Sequence, residues 1–313
     1  MLTTSIISEI LRIFLENNLI IMDILNTTNL KHAKLLSKAD SIEQSYIYQT
    51  EPIIKDTNLE HIIKDIYLEA NTIDINLDTK IYRIFPFKWL LNALKTNTLY
   101  FVKPEVWPDP YENFLLRSKG VLKDGTKVCL ENLKNQIVAQ CWSTKAECDG
   151  LWRTYSPKHD IERSIDDIAV KVETTVRKLF EKFYDMSNPF HSITYYVGRV
   201  QYVSDDELKR FFTDDFLRDG QNIVTTITLL LKRTAFSYEE EVRFIYNGSE
   251  SIDEKGKSFP IQLNNIIDKI TIEPWVTKEE EVCVRDTLNK YYQGNIVKDN
   301  LYDDIQSSIT ISM

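Results

Sequence analysis

Apolar and polar positions alternate most regularly from Ser237 to Tyr246. In an extended chain Tyr238, Val242, Phe244 and Tyr246 fall on one face, with Glu240 the exception, and Glu239, Glu241 and Arg243 fall on the other. The pattern predicts a strand with two carboxylates and a guanidinium along one side, either a solvated face or one wall of a cleft. Similar runs predict strands at Lys80–Phe85, Thr98–Val102, Ile137–Ser143, Tyr195–Val203 and Ile266–Ile272. Apolar spacing of three to four predicts helices at Ser8–Asn18, Leu59–Ala70, Lys88–Leu94, Glu173–Tyr184, Asp205–Phe212, Ile223–Lys232 and Lys278–Tyr292. Asp166–Val172 alternates weakly. The prolines of Trp107–Glu112 predict a rigid turn, because each fixes its own φ and restricts the residue before it. Strands and helices mix without regular βαβ alternation, so the expected class is α+β, with a helical region over 1–79 and a core domain over 80–313.

Composition narrows the chemistry. With 313 residues, 43% hydrophobic and 27% charged, a sizeable core is expected. Net charge is −9, so no diffuse basic footprint for duplex DNA is present. Eight glycines fall well below the usual ~7%. No Walker, Rossmann or nucleophile-elbow motif occurs, which argues against P-loop ATPases, kinases, standard dehydrogenases and α/β-hydrolases. Four cysteines and four histidines show no zinc or disulfide spacing, and no metal is expected. Charges at Glu9, Arg12, Glu16 and Asp23 interrupt the apolar run Ile6–Leu25, so no membrane span is expected; no basic n-region or small-residue cleavage site precedes it, so no secretory signal is expected and a cytoplasmic location is.

Several segments carry a resemblance. Trp107-Pro108-Asp109-Pro110-Tyr111-Glu112, Trp152-Arg153-Thr154-Tyr155 and Tyr238-Glu239-Glu240-Glu241-Val242-Arg243, with Gln140–Ser143 and Ile270–Trp275, resemble in that order a bacterial domain-of-unknown-function family. More distantly, Arg83 in a first strand, Ser143-Thr144 in a second and Glu239-x-Glu241 in a third are similar to the toxin-type mono-ADP-ribosyltransferases. Lys145 stands where the third residue of their Ser-Thr-Ser element would be. That resemblance implies two small packed sheets around a cleft, NAD as cosubstrate, and a toxin or phage-defence effector.

The implied roles are chemically coherent. Breaking the nicotinamide–ribose bond develops positive charge on the sugar, which a fixed carboxylate stabilises. Glu241 takes this role, Glu239 orients or deprotonates the acceptor, and Arg83 pairs with the pyrophosphate. Tyr82 or Tyr100 stacks on the nicotinamide, Ser143 holds Glu241 in its rotamer, and Thr144, Trp152 and Tyr155 complete the cofactor-binding set. The acceptor is a macromolecule, protein or nucleic acid. Two other readings stand beside this one. The first is a metal-dependent nuclease using Pro108-Asp109 and Glu241-x-Arg243, although Arg stays protonated and cannot activate water. The second is a non-catalytic protein whose N-terminal helical region engages a partner. Plain structural roles also fit, among them Trp152 and Tyr155 as core packing and Asp109 as a turn cap.

Overall fold

The structure, a computed structural model, describes residues 31–42, 57–117, 119–121, 127–129, 134–156, 163–211, 222–248, 250–252 and 254–302. The expected helix Ser8–Asn18 and the run Ile6–Leu25 lie outside them. The helices are α1 (31–42), α2 (Thr57–Ala70), α3 (Phe87–Thr96), α4 (Phe114–Arg117), α5 (Asp149–Tyr155), α6 (Val176–Phe183), α7 (Asp205–Phe211), α8 (Asn222–Thr228) and α9 (Lys278–Leu288). The strands are β1 (Thr72–Ile73), β2 (Lys80–Pro86), β3 (Thr98–Val102), β4 (Lys119–Val121), β5 (Lys127–Cys129), β6 (Ile137–Ser143), β7 (Ala169–Thr175), β8 (Tyr195–Arg199), β9 (Gln201–Val203), β10 (Leu231–Arg233), β11 (Glu241–Asn247), β12 (Gly256–Pro260), β13 (Lys269–Ile272) and β14 (Asn295–Lys298).

The class is α+β, built on one large mixed sheet instead of two small packed ones. Ten strands run in the order β1-β8-β11-β6-β2-β7-β13-β14, with β3 also bonded to β6 and β12 to β3. The sheet forks at β6, which pairs with β2 at Ser143↔Tyr82 and with β3 at Ala139↔Val102. Pairs β1–β8 and β13–β14 are parallel, and the others in this sheet are antiparallel.

Alternation along β6 and β11 explains why both are buried on two sides. Val138, Trp142, Val242, Phe244 and Tyr246 join the main apolar cluster with Phe180 and Phe183 of α6. Ile137, Ala139 and Ile245 join a second cluster with Trp107, Leu229 and Leu230. The face bearing Glu241 and Arg243 is therefore covered by the Trp107 turn and the segment after α8.

The helical region does not stand apart from the core. Ala39 of α1 and Ile63, Ile66, Tyr67 and Leu68 of α2 belong to the main apolar cluster, and β1 adds a strand beside β8. Part of their apolar surface is thus covered by this chain's own sheet, while Ile62 of α2 is exposed.

Several predicted elements differ in type or extent. Glu173–Thr175 continue β7 instead of starting a helix, because Glu173 is held by Lys80 and Lys269 of the flanking strands at 2.7 and 3.0 Å. Thr175 then caps α6 by accepting from the Lys178 amide. Tyr195–Val203 divides into β8 and β9 at Val200, whose amide donates to the Glu241 carbonyl. The expected helix Ile223–Lys232 stops at Thr228, and Leu231–Arg233 pair in parallel with β9.

Candidate active site

The Ser237–Tyr246 segment is not one continuous strand. Thr234–Glu239 form a 3-10 turn, Glu240 adopts the left-handed region (φ 41°), and β11 begins at Glu241. Tyr238 is exposed instead of packing with Val242 and Phe244. The turn is fastened to the end of β6. Thr144 donates its amide to the Glu240 carbonyl (3.0 Å), and Ser143 Oγ donates to the Glu239 carbonyl (2.5 Å). Glu239 and Glu241 therefore reach the same place from a turn and from a strand, which strand periodicity alone does not anticipate.

Both acids meet a buried lysine. Lys232 Nζ of β10 lies 2.6 Å from Glu239 Oε2, 3.0 Å from Glu241 Oε2 and 3.3 Å from Glu112 Oε1. Arg243 grips Glu241 through Nε (2.9 Å) and Nη2 (2.9 Å), pairs with Glu112 through Nη2, and donates Nη1 to the Leu229 carbonyl (2.5 Å). Arg243 is 0% exposed and Glu241 4%, so the solvated-face reading is overturned. Three carboxyl groups here face two cations.

The two acids differ in their proton affinity. Burial would raise the Glu241 carboxyl, but Arg243, Lys232 and the Cys141 thiol hold it down to about 2. Glu239 is raised from the usual range, first by burial and then by Glu241 and Glu112, with Lys232 opposing. Burial also works against the charge of Lys232, but Glu241, Glu112 and Glu239 outweigh it and raise its pKa.

These acids form part of the lining of a cavity of about 170 Å³, together with Tyr82, Arg83, Ser143, Lys171, Trp152 and Tyr155. Arg83 Nη1 donates to the Cys141 carbonyl, while its buried Nε has no hydrogen-bond partner among the described residues. Lys171 donates to the Ala146 carbonyl (2.7 Å) and to Asp299 (3.3 Å), beneath the Trp152 ring, whose Nε1 donates to Asp299 (3.0 Å). The Tyr155 phenol is raised by burial and by the nearby Glu239, Cys141 and Glu241.

Of the residues singled out from the sequence, Arg83, Tyr82, Ser143, Trp152, Tyr155, Glu239 and Glu241 thus share one cavity. Two do not belong to its lining. Tyr100 is exposed on β3 opposite Ser258 of β12, and Thr144 turns its hydroxyl to Glu240 Oε2 (2.8 Å). Ser143 does not fix the Glu241 rotamer, since Arg243, Lys232 and Cys141 do that; it fixes the turn that carries Glu239. Asp109 is the bidentate partner of Arg233 (3.0 and 3.1 Å) and accepts the Tyr111 amide (3.1 Å). Among the described residues no cluster of His, Cys, Asp and Glu is suited to hold a metal ion.

Lys232, Lys171 and Cys141 escaped the sequence reading. Lys232 follows Leu229-Leu230-Leu231 and reads as the polar end of a helix. Glu112 sits within the Trp107–Glu112 segment, and nothing in that segment signals its pairing with Lys232 and Arg243.

No family model matches the chain, and no curated protein does. The resemblance carried by the Trp107–Glu112, Trp152–Tyr155 and Tyr238–Arg243 segments therefore has no family model behind it. Solved structures of DarT from Thermus sp. 2.9 are similar: in complex with NAD+ (11% identity, TM-score 0.33), with ADP-ribosylated ssDNA (11%, 0.35) and with carba-NAD+ (10%, 0.33). Each match covers 72% of this chain and 96–97% of the other. Among the described residues no helix is long and apolar enough to cross a membrane.

Proposed function

We propose that the chain is an NAD-dependent mono-ADP-ribosyltransferase-like enzyme. The observation that carries the reading is the meeting of Arg83, with its unpartnered Nε, and the Glu239–Glu241 pair on one cavity. A buried guanidinium donor without a partner is costly until an acceptor completes it. A pyrophosphate supplies such an acceptor; Lys171 and Lys145 on the same lining are already paired, with Asp299 and Glu240. Tyr82, Trp152 and Tyr155 offer aromatic faces to a planar ring. The cavity is smaller than the ~300 Å³ at which pockets for whole drug-sized ligands begin. It suits one ring-and-sugar end of a dinucleotide.

In the reaction the ribose C1–N bond breaks and nicotinamide leaves with the bonding pair. The cation that develops on the sugar is stabilised by the fixed negative charge of Glu241, which stays ionised at neutral pH. The acceptor's lone pair forms the new bond to C1, and its proton passes to Glu239. With water as acceptor the product is free ADP-ribose; with a protein or nucleic-acid nucleophile it is a modified macromolecule.

The test is incubation of purified protein with adenylate-labelled NAD and cell extract, reading released nicotinamide and macromolecular label. Wild type is expected to release nicotinamide, and Glu239→Gln and Arg83→Gln to release far less. Absence of both signals from wild type ends this reading.

A further inference from the structure

We propose that Lys232 is a positioning residue of this site, whose ammonium keeps Glu239 ionised and aligned with Glu241 on the cavity wall. The inference rests on the reading above only for the reaction that Glu239 serves. Lys232 has three N–H donors and three carboxylates within reach, at 2.6, 3.0 and 3.3 Å. The Phe236 ring, 4.9 Å from Nζ, packs against it.

The three acids depend on Lys232 unequally. Glu241 and Glu112 also bond to Arg243, whereas Lys232 is the side-chain hydrogen-bond donor to Glu239 among the described residues. The other groups that face Glu239 do not replace it. Glu241 and Glu112 are anions that disfavour its charge. The phenols of Tyr155 on α5 and Tyr202 on β9 are both raised and so remain neutral near pH 7. Arg83 donates to the Cys141 carbonyl, and the Cys141 thiol is raised by burial and by Glu241, so it too stays neutral. Without the ammonium, three carboxylates would share Arg243, with Arg83 acting on Glu241 through the cavity, and the proton that relieves the repulsion would settle on Glu239. A protonated Glu239 can neither take the acceptor's proton nor add negative charge to the wall.

The experiment is a carboxyl-carbon NMR titration of the protein without NAD, with the Glu239 signal assigned by its loss in Glu239→Gln. Lys232→Met combined with Glu112→Gln removes one cation and one anion, keeping the net charge of the cluster. Lys232→Gln keeps a polar group, and Lys232→Arg keeps the cation. A rise of the Glu239 midpoint by about 1–3 pH units in the neutral variants, with Lys232→Arg near wild type, supports the role. The acid limb of the NAD-turnover profile should move in step. An unmoved midpoint in whichever neutral variant keeps the wild-type circular dichroism spectrum overturns the inference. A moved midpoint in a protein that never turns over NAD overturns the reaction and leaves the positioning role standing.

Discussion

The guanidinium carbon of Arg243 lies 4.2 Å from the centroid of the Trp107 ring. An aromatic side chain from the proline-rich turn thus packs against the cation that grips Glu241, while Glu112 from the same turn pairs with that cation. The turn supports the acid cluster without belonging to the lining of the cavity.

Trp107→Ala should consequently destabilise the fold by about 3–5 kcal/mol, the usual cost of deleting a buried aromatic. Part of this is the desolvated cation–π contact, worth about 2 kcal/mol. Urea denaturation followed by circular dichroism measures it, and a loss below about 1 kcal/mol would show that the contact is idle.

Glu239→Gln and Glu241→Gln should separate chemistry from folding. Glu241 is the buried partner of two cations, so neutralising it should cost about 3–5 kcal/mol of stability. Among the described residues Lys232 is the cation paired with Glu239, so the Glu239 amide variant should fold and lose about 10²–10⁴ in NAD turnover. Equal stability losses for the two variants would contradict this division.

Acid titration should expose the same contrast. The folded-state carboxyl of Glu241 is depressed to about 2, so its contribution is fully present above its ordinary pKa near 4.5 and lost as pH falls from there toward 2. Its size is on the order of 3 kcal/mol. Glu239 is raised, and its folded form holds a proton more tightly than the unfolded chain, so it opposes folding as pH rises through its titration. Urea midpoints of wild type should therefore fall between pH 4.5 and 2, and this fall should shrink in Glu241→Gln.

Arg83→Lys should raise the KM for NAD about tenfold or more while changing kcat less, because a point charge replaces a planar fork. Tyr100→Ala should leave both constants unchanged, since Tyr100 lies outside the cavity lining. Steady-state kinetics of the two variants checks both expectations. An effect of Tyr100→Ala on KM as large as that of Arg83→Lys would be incompatible with this geometry.

Much of the local structure was legible from residue order. The strands at 98–102 and 137–143 agree with the periodicity of their residues, and the helix expected at Lys278–Tyr292 forms as α9 over Lys278–Leu288. The misreadings have a common physical origin. Leu229–Lys232 carries helix-forming residues, yet pairing with β9 draws 231–233 into a strand and delivers Lys232 to the acids. Tyr238 and Glu239 extend an alternating pattern that Glu240 breaks, and the bonds from Ser143 and Thr144 hold the segment as a turn.

Sequence by itself determined the element types of most of the core, the lack of Walker and Rossmann motifs that argues against such phosphate loops, and seven residues that now line one cavity. Only the tertiary structure decided that the acidic face is buried, that Lys232 joins Glu239 to Glu241, and that Tyr100 stands apart. Periodicity reports which side of its own element a residue faces. What lies opposite that side depends on contacts between distant segments, and the electrostatics of a buried carboxylate depend on that opposite wall.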